Sequence, residues 1–386
     1  MLSSEERKDI RALMQREIIP AIGCTEPVSV SLCVAKATEV LGKIPDKIEV
    51  YLSANVLKNA MGVGIPGTGM IGLPIAVALG AQIGKSKYEL EVLRDLMPED
   101  VERGKKYIEE NRIKIELKNN INDKLYIEVI CFLEKQYSKA IIRGSHTRFT
   151  HIEKNGETLL IKETQTEQEN DSLLGASDDA LTFRKVYDFA TESPIEELRF
   201  ILEAAKMNRE ASMQSQKNNY GHNVAKSIIS ERGKIMFGNN LHSKMISSTA
   251  GACDARMDGA LIPVMSNSGS GNQGVAATLP VLTYAEEMDS DEESLIRALI
   301  ISHLSVIYIK QYMGRLSALC GCVMASTGSS CGITYLMGGK YENVVYSAKN
   351  MIANITGMIC DGAKPSCALK IASGVSTASL SALMAI

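Results

Sequence analysis

KLYIEVICFL at residues 124–133 and KAIIRGSHTRFTHIEKNG at 139–156 decide what kind of fold this chain adopts. Both runs alternate apolar and polar residues, favour β-branched and aromatic side chains, and end in polar turns. That is the period-two pattern of half-buried strands. KIEVYLSA (47–54), SKYELEVL (86–93), RIKIELKN (112–119) and ETLLIKE (157–163) carry the same signature. Helices are predicted between them at LPIAVALGAQIG (73–84) and PEDVERGKKYIEEN (98–111). TQTEQENDSLLGASDDA (164–180) is polar throughout and reads as a surface crossover.

Outward from this block the period changes to that of helices. Ile10, Leu13, Met14 and Ile18 form a stripe at 3–4 spacing over residues 4–18. Pro20 ends it, and a second helix is predicted over Val28–Leu41, closed by Gly42 and Pro45. After residue 181 nearly everything is helical in pattern. SPIEELRFILEAAKMNREASMQSQKN (193–218) is a long amphipathic segment, and further helices are predicted near 220–232, 274–286, 292–318, 345–358 and 366–384. The expected architecture is α+β in two domains. A mostly helical domain is formed by both chain ends, residues 1–45 and 169–386, with a smaller α+β domain, 46–168, inserted between them.

Composition narrows the function. Forty-five acidic residues against 42 basic ones give a formal charge of -3, with no dense Lys/Arg block, so no nucleic-acid partner is expected. Trp 0 and 5% aromatics leave no stacking platform for bases. No apolar run reads as a convincing membrane span. The charged start MLSSEERKDIRALMQ lacks the apolar segment of a signal peptide, so the expected location is the cytoplasm. In that setting nine cysteines, an odd number, read as free, liganding or catalytic thiols more readily than as disulfides.

Five of those thiols crowd LCGCVMASTGSSCG (319–332) and ICDGAKPSC (359–367). Their spacing fits no common zinc finger or ribbon. Glycines beside each cysteine suit a loop curling over an iron–sulfur cluster, and inert buried thiols are the plainer alternative. MSNSGSGNQG (265–274) packs hydrogen-bonding groups ahead of a helix start, where backbone N–H groups can hold a carboxylate. AIGCTEP (21–27) puts Cys24 at another helix start, a position that lowers a thiol pKa. NAMGVGIPGTGMIG (59–72) matches neither a dinucleotide fingerprint nor a P-loop and reads as a wall of a site or a structural turn. Of the histidines, His146 and His222 have the most polar surroundings. Lys364 and Lys370 can anchor an anion, with nothing nearby to mark a pyridoxal Schiff base.

GCTEP (23–27), SNSGSGNQG (266–274), CGCVMASTG (320–328) and ICDGAKPSC together resemble the L-cysteine desulfidase family. The wider resemblance is to the α chains of iron–sulfur L-serine dehydratases. It runs through NVLKNAMGVGIPGTG (55–69) and covers nearly the whole chain. The GCTEP turn and the short spacing within CDGAKPSC are the desulfidase form. The resemblance implies a [4Fe-4S] cluster held by three cysteines, with one iron open to substrate. Cys360 and Cys367 carry over directly, and Cys322 is the third, with Cys320 as its alternative. It further implies that Cys24 is the catalytic base or a cap on the open iron. Ser266, Asn267, Ser268, Ser270, Asn272 and Gln273 would hold the carboxylate and amino group of the substrate. The implied reaction is α,β-elimination on L-cysteine, a small amino-acid substrate, to sulfide, pyruvate and ammonium without pyridoxal phosphate. Serine dehydration is the second reading and a non-catalytic cysteine-rich metal protein the third; a homodimer is the expected assembly.

Overall fold

The structure, a computed structural model, describes residues 2–162, 181–314, 317–356 and 358–386. The crossover expected at 164–180 lies outside the described residues. The chain opens with α1 (Ser4–Glu17), a two-residue strand β1 (Pro20–Ala21) and α2 (Thr25–Leu41). It then builds β2 (Lys47–Leu52), α3 (Ala54–Ala60), the ribbon β3 (Gly64–Ile65) and β4 (Met70–Ile71), α4 (Leu73–Gln82) and α5 (Pro98–Glu109). Strands β5 (Ile113–Leu117), β6 (Tyr126–Leu133), β7 (Gln136–Arg143), β8 (Phe149–Lys154) and β9 (Glu157–Ile161) follow.

Six of these strands form one sheet in the order β5-β2-β6-β7-β8-β9, with only the β2–β5 pair parallel. The alternation read in KLYIEVICFL is what aims its core face. Ile127, Val129 and Cys131 are fully buried, and the register sets Ile127 opposite Ile142 and Val129 opposite Ala140. SKYELEVL does not join the sheet: Ser86–Glu91 is a 3₁₀ turn. Glu89 takes φ 48°, outside the strand region, and Leu90, Val92 and Leu93 pack into the sheet's core instead of pairing.

The rest is helical. It comprises α6 (Phe183–Glu192), α7 (Ile195–Leu198), α8 (Leu202–Ser215), α9 (Val224–Ile229), α10 (Glu231–Phe237) and α11 (Leu241–Met257). Strand β10 (Val264–Met265) precedes α12 (Gly271–Glu287), α13 (Glu292–Met313), α14 (Gly321–Leu336), α15 (Tyr341–Ile355) and α16 (Cys367–Ala385). At the centre α14 packs on α12, α13, α15 and α16. It occupies the stretch read as a cysteine–glycine loop. Residues as small as these make a poor isolated helix, but here neighbours cover it, and Cys322 to Thr334 are buried without interruption. A Cβ on Gly328 would stand 2.4 Å from the Ser302 carbonyl oxygen, so only glycine admits α13 this close. By length and composition alone α16 is apolar enough to cross a membrane, which the sequence reading did not anticipate; it packs against α11, α14 and α15 as a helix of the bundle.

The first 45 residues divide between two cores. Ile10, Leu13 and Met14 of α1 enter the helical core, whereas α2 lies between the sheet and α4. Val30, Leu32, Cys33 and Val34 of α2 are fully buried there, and its buried Ser31 donates to the Ala76 carbonyl at 2.8 Å. The grouping of α2 with the helical part, expected from its pattern, is not how its side chains pack. A helix apolar over most of its surface carries no sign of which core receives it.

Candidate active site

Two short pairings draw distant sequence together. Strand β1 pairs with β10, Pro20 opposite Met265, and the Ser266 and Ser268 N–H groups donate to the carbonyls of Ile19 and Glu17 at 2.8 and 2.9 Å. The GCTEP turn thereby meets the SNSGSGNQG loop. A β-bridge between Leu319 and Ile359 does the same for the two cysteine stretches, with Cys320 N–H on the Met358 carbonyl at 2.9 Å and Cys360 N–H on that of Ala318 at 2.8 Å.

The result is one pocket, with a cavity volume of 130 Å³. Cys24, Cys320, Cys322, Cys360 and Cys367 all line it, as do Ser268, Ser270, Asn272 and Gln273. Cys24 is the N-cap of α2, Cys320 the N-cap of α14, Ser270 the N-cap of α12, and Cys367 the first residue of α16. Four long helices therefore present their first turns to one space. Unpaired N–H groups and aligned peptide dipoles make such ends favourable for thiolate, carboxylate or an anionic cluster. Arg256, Lys310 and Lys370 add cations to the lining and Glu26 a carboxylate, and Lys370 is ion-paired with Asp361 beside it. Glu26 is itself held by Asn59 Nδ2 at 2.9 Å and by the Thr25 hydroxyl at 3.2 Å.

The thiols differ in ionisation. The Cys322 thiol, donating to Cys320, is the main cause of a Cys320 pKa well below the ordinary thiol value; the N–H groups of Cys322 and Val323 and the Lys370 ammonium act the same way. Cys322 is driven up by that same contact and by burial. Burial pushes Cys367 up to about 11, with the Cys320 and Cys360 thiols adding to the rise. Cys24 departs from its sequence reading. Burial pushes it up to about 12, and the opposing pull comes chiefly from the Arg256 guanidinium. The N-cap position does not dominate because the sulfur is enclosed.

The sequence-predicted loop splits in two. Ser266 and Asn267 do not line the pocket; they hold the loop in place. The Ser266 hydroxyl donates to the Ile19 carbonyl at 2.6 Å, and Asn267 Nδ2 lies 3.1 Å from both His303 Nδ1 and the His303 carbonyl oxygen. His303 is fully enclosed and bonds Thr278 through Nε2 at 2.9 Å; burial pushes its pKa down to about 3 and keeps it neutral. His146 lines the pocket, whereas the His222 N–H serves Asp254. Of the 59–72 run, Asn59 reaches the pocket; Lys58, just before the run, donates to the Cys360 carbonyl at 3.3 Å. All nine cysteines are free; Cys33, Cys131 and Cys331 are fully buried elsewhere, and Cys253 is fully buried behind the pocket thiols. Sequence reasoning missed Arg256 and Lys310. The available signal was a charged residue inside the small apolar run STAGACDARM, on a helix the periodicity did not mark out.

As a metal site the pocket fits by donor chemistry, five thiols of which four stand at helix starts, more than by ready-made geometry. Among the described residues no three His, Cys, Asp or Glu side chains already stand in metal-ligating positions.

The signature of the serine dehydratase alpha chain matches residues 87–386. The chain belongs to the serine dehydratase alpha chain family. It is also 62% identical over 385 residues to a UPF0597 protein of Bacteroides fragilis, spanning 100% of this chain and 89% of that relative. A UPF0597 protein of Bacteroides thetaiotaomicron is 61% identical over 381 residues (98% and 88%), and one of Shewanella halifaxensis 44% over 382 residues (97% and 87%). The serine dehydratase alpha chain match takes in Arg256, the 266–274 loop and every cysteine from 320 to 367, but not Cys24. Membership in this family supports a lyase-type activity on an amino acid.

Proposed function

We propose that this protein is a cytoplasmic carbon–sulfur lyase that converts L-cysteine and water to sulfide, pyruvate and ammonium at this pocket. Cys360, Cys367 and Cys322 would hold a [4Fe-4S] cluster, with Cys320, the thiol most disposed to ionise, competing for the third place. The observation that carries the reading is the gathering of Cys24 and four further thiols with the Ser268–Gln273 segment in one cavity lined by helix starts. When bound, a cluster with one open iron supplies a Lewis acid for the substrate's sulfur.

The remaining work falls to the chain itself. Ser268, Ser270, Asn272 and Gln273 orient the amino acid, and the first turn of α12 stabilises charge on its carboxylate. Cys24 accepts the proton from Cα. It does so only as a thiolate, which burial opposes and Arg256 favours. Loss of the Cα proton and of sulfide from Cβ leaves aminoacrylate, which tautomerises to an imine and takes up water to give pyruvate and ammonium. Enclosure of the pocket keeps the reacting groups aligned while this happens.

The name of the matched family favours a second reading, in which L-serine loses water by the same proton abstraction. Anaerobically loaded protein given each substrate separates the two. The desulfidase reading expects sulfide from L-cysteine much faster than pyruvate from L-serine. The reverse ranking overturns it in favour of the dehydratase.

A further inference from the structure

Arg256 is a buried cation with no carboxylate partner among the described residues. It is 3% exposed, and its Nη1 donates to Asn272 Oδ1 at 2.8 Å while Nη2 donates to the Gly23 carbonyl. Both acceptors are neutral. Nε has no partner, and among the described residues Arg256 forms no ion pair with a carboxylate. An enclosed guanidinium left in this state costs free energy that a protein normally recovers with an acidic side chain. Here the guanidinium lines the pocket beside the first turn of α12. Gln273, in that same turn, lines the pocket too, and its Oε1 is a buried acceptor with no donor. A cation and helix N–H groups lacking an anion, next to a carbonyl lacking a donor, form the complement of an α-amino acid: carboxylate at one end, ammonium at the other.

We propose that Arg256 anchors the substrate's α-carboxylate, with Gln273 Oε1 receiving its ammonium group, so that this pair restricts the pocket to α-amino acids. The inference rests on the amino-acid lyase reading and extends it, since Arg256 also stands against the Cys24 thiol and fixes where Cα lies relative to that sulfur. Its placement depends on Gly271. A Cβ there would come within 2.4 Å of Arg256 Nε and 2.5 Å of Cζ, so any other residue pushes the guanidinium aside.

The test uses ligands that cannot react. L-Alanine keeps both charged groups but has no leaving group, and ethylamine is the same molecule without the carboxylate. Their binding to the purified full chain is measured by calorimetry under anaerobic conditions, before and after iron–sulfur loading, in the unaltered protein and in Arg256→Gln, Arg256→Lys and Gly271→Ala. Expected is a loss of L-alanine affinity of about 50-fold in Arg256→Gln, smaller in Arg256→Lys, with ethylamine binding unaffected. Should Arg256→Gln not fold, Gly271→Ala carries the test: unchanged circular dichroism and a loss of at least about 10-fold for L-alanine. L-Alanine affinity that does not depend on Arg256, or no L-alanine binding by the unaltered protein, overturns the proposal. Absent sulfide release with alanine binding intact instead marks failure of the desulfidase reading alone.

Discussion

Cys33 and Cys131 lie between α2 and the six-stranded sheet, while Cys24, Cys320, Cys322 and Cys367 lie where α2, α14 and α16 begin, with Cys360 on the β-bridged segment beside them. Both regions are enclosed, completely at Cys33 and Cys131 and nearly so at the pocket thiols, apart from the half-buried Cys360. Around Cys33 the neighbours are apolar side chains and the Ala140 carbonyl, 3.3 Å from the sulfur, so the thiol stays neutral and acts as a small hydrophobic group. Burial drives Cys33 far above the ordinary thiol range and pushes Cys131 up to about 12. In the pocket the Cys322 thiol, helix N–H groups and the Lys370 ammonium bring Cys320 down, whereas burial still lifts Cys24 to about 12 against the pull of Arg256. What separates a packing thiol from a chemical one is the charge and dipoles facing the sulfur, with burial common to both.

The contrast breaks most visibly at the ligands. Cys360→Ala and Cys367→Ala should each lose iron and lower cysteine-dependent sulfide release by at least about 1,000-fold. Cys33→Ala should keep full iron and activity at a stability cost of about 1 kcal/mol. Full iron content in either pocket variant removes that residue from the ligand set. A smaller effect belongs to Cys24→Ala: iron retained, with turnover down by roughly 100-fold or more, the contribution of a lost general base. Undiminished turnover there ends the base assignment.

Asn267→Ala sharpens the division within the loop. His303 would lose its donor in a fully enclosed place, so unfolding free energy should drop by about 1–3 kcal/mol, read as a lower melting temperature, with iron content unchanged. The mildest test is a titration. In cluster-free protein a thiolate absorbance near 240 nm should grow as pH rises through a midpoint below the ordinary thiol range. A lowered pKa means the charged form persists to lower pH, and Cys320→Ser should abolish this step. A first thiolate appearing only in the ordinary range contradicts the assignment.

Much of this was legible in the residues. Alternation placed the strands of the six-stranded sheet but also marked SKYELEVL, which is a 3₁₀ turn. Helical spacing placed α1, α4, α5, α13 and α16, and the N-terminal turn and three motifs from the last third of the chain share one cavity. Each of those signals is local. What escaped depends on neighbours the sequence does not announce. Nothing in GCVMASTGSSCG favours a helix until α12, α13, α15 and α16 surround it. Asn267 and Asn272 look alike in SNSGSGNQG, yet one faces His303 and the other Arg256. Arg256 was invisible because its meaning lies in the missing counter-charge, which only packing reveals.

Iron and acid-labile sulfide content of the unaltered chain, loaded anaerobically, tests the central claim most directly. If Cys360 and the thiols at these helix starts hold the cluster, about four iron and four sulfide should be found per chain. Protein that takes up zinc but no iron and sulfide, and still turns over L-cysteine, would contradict it.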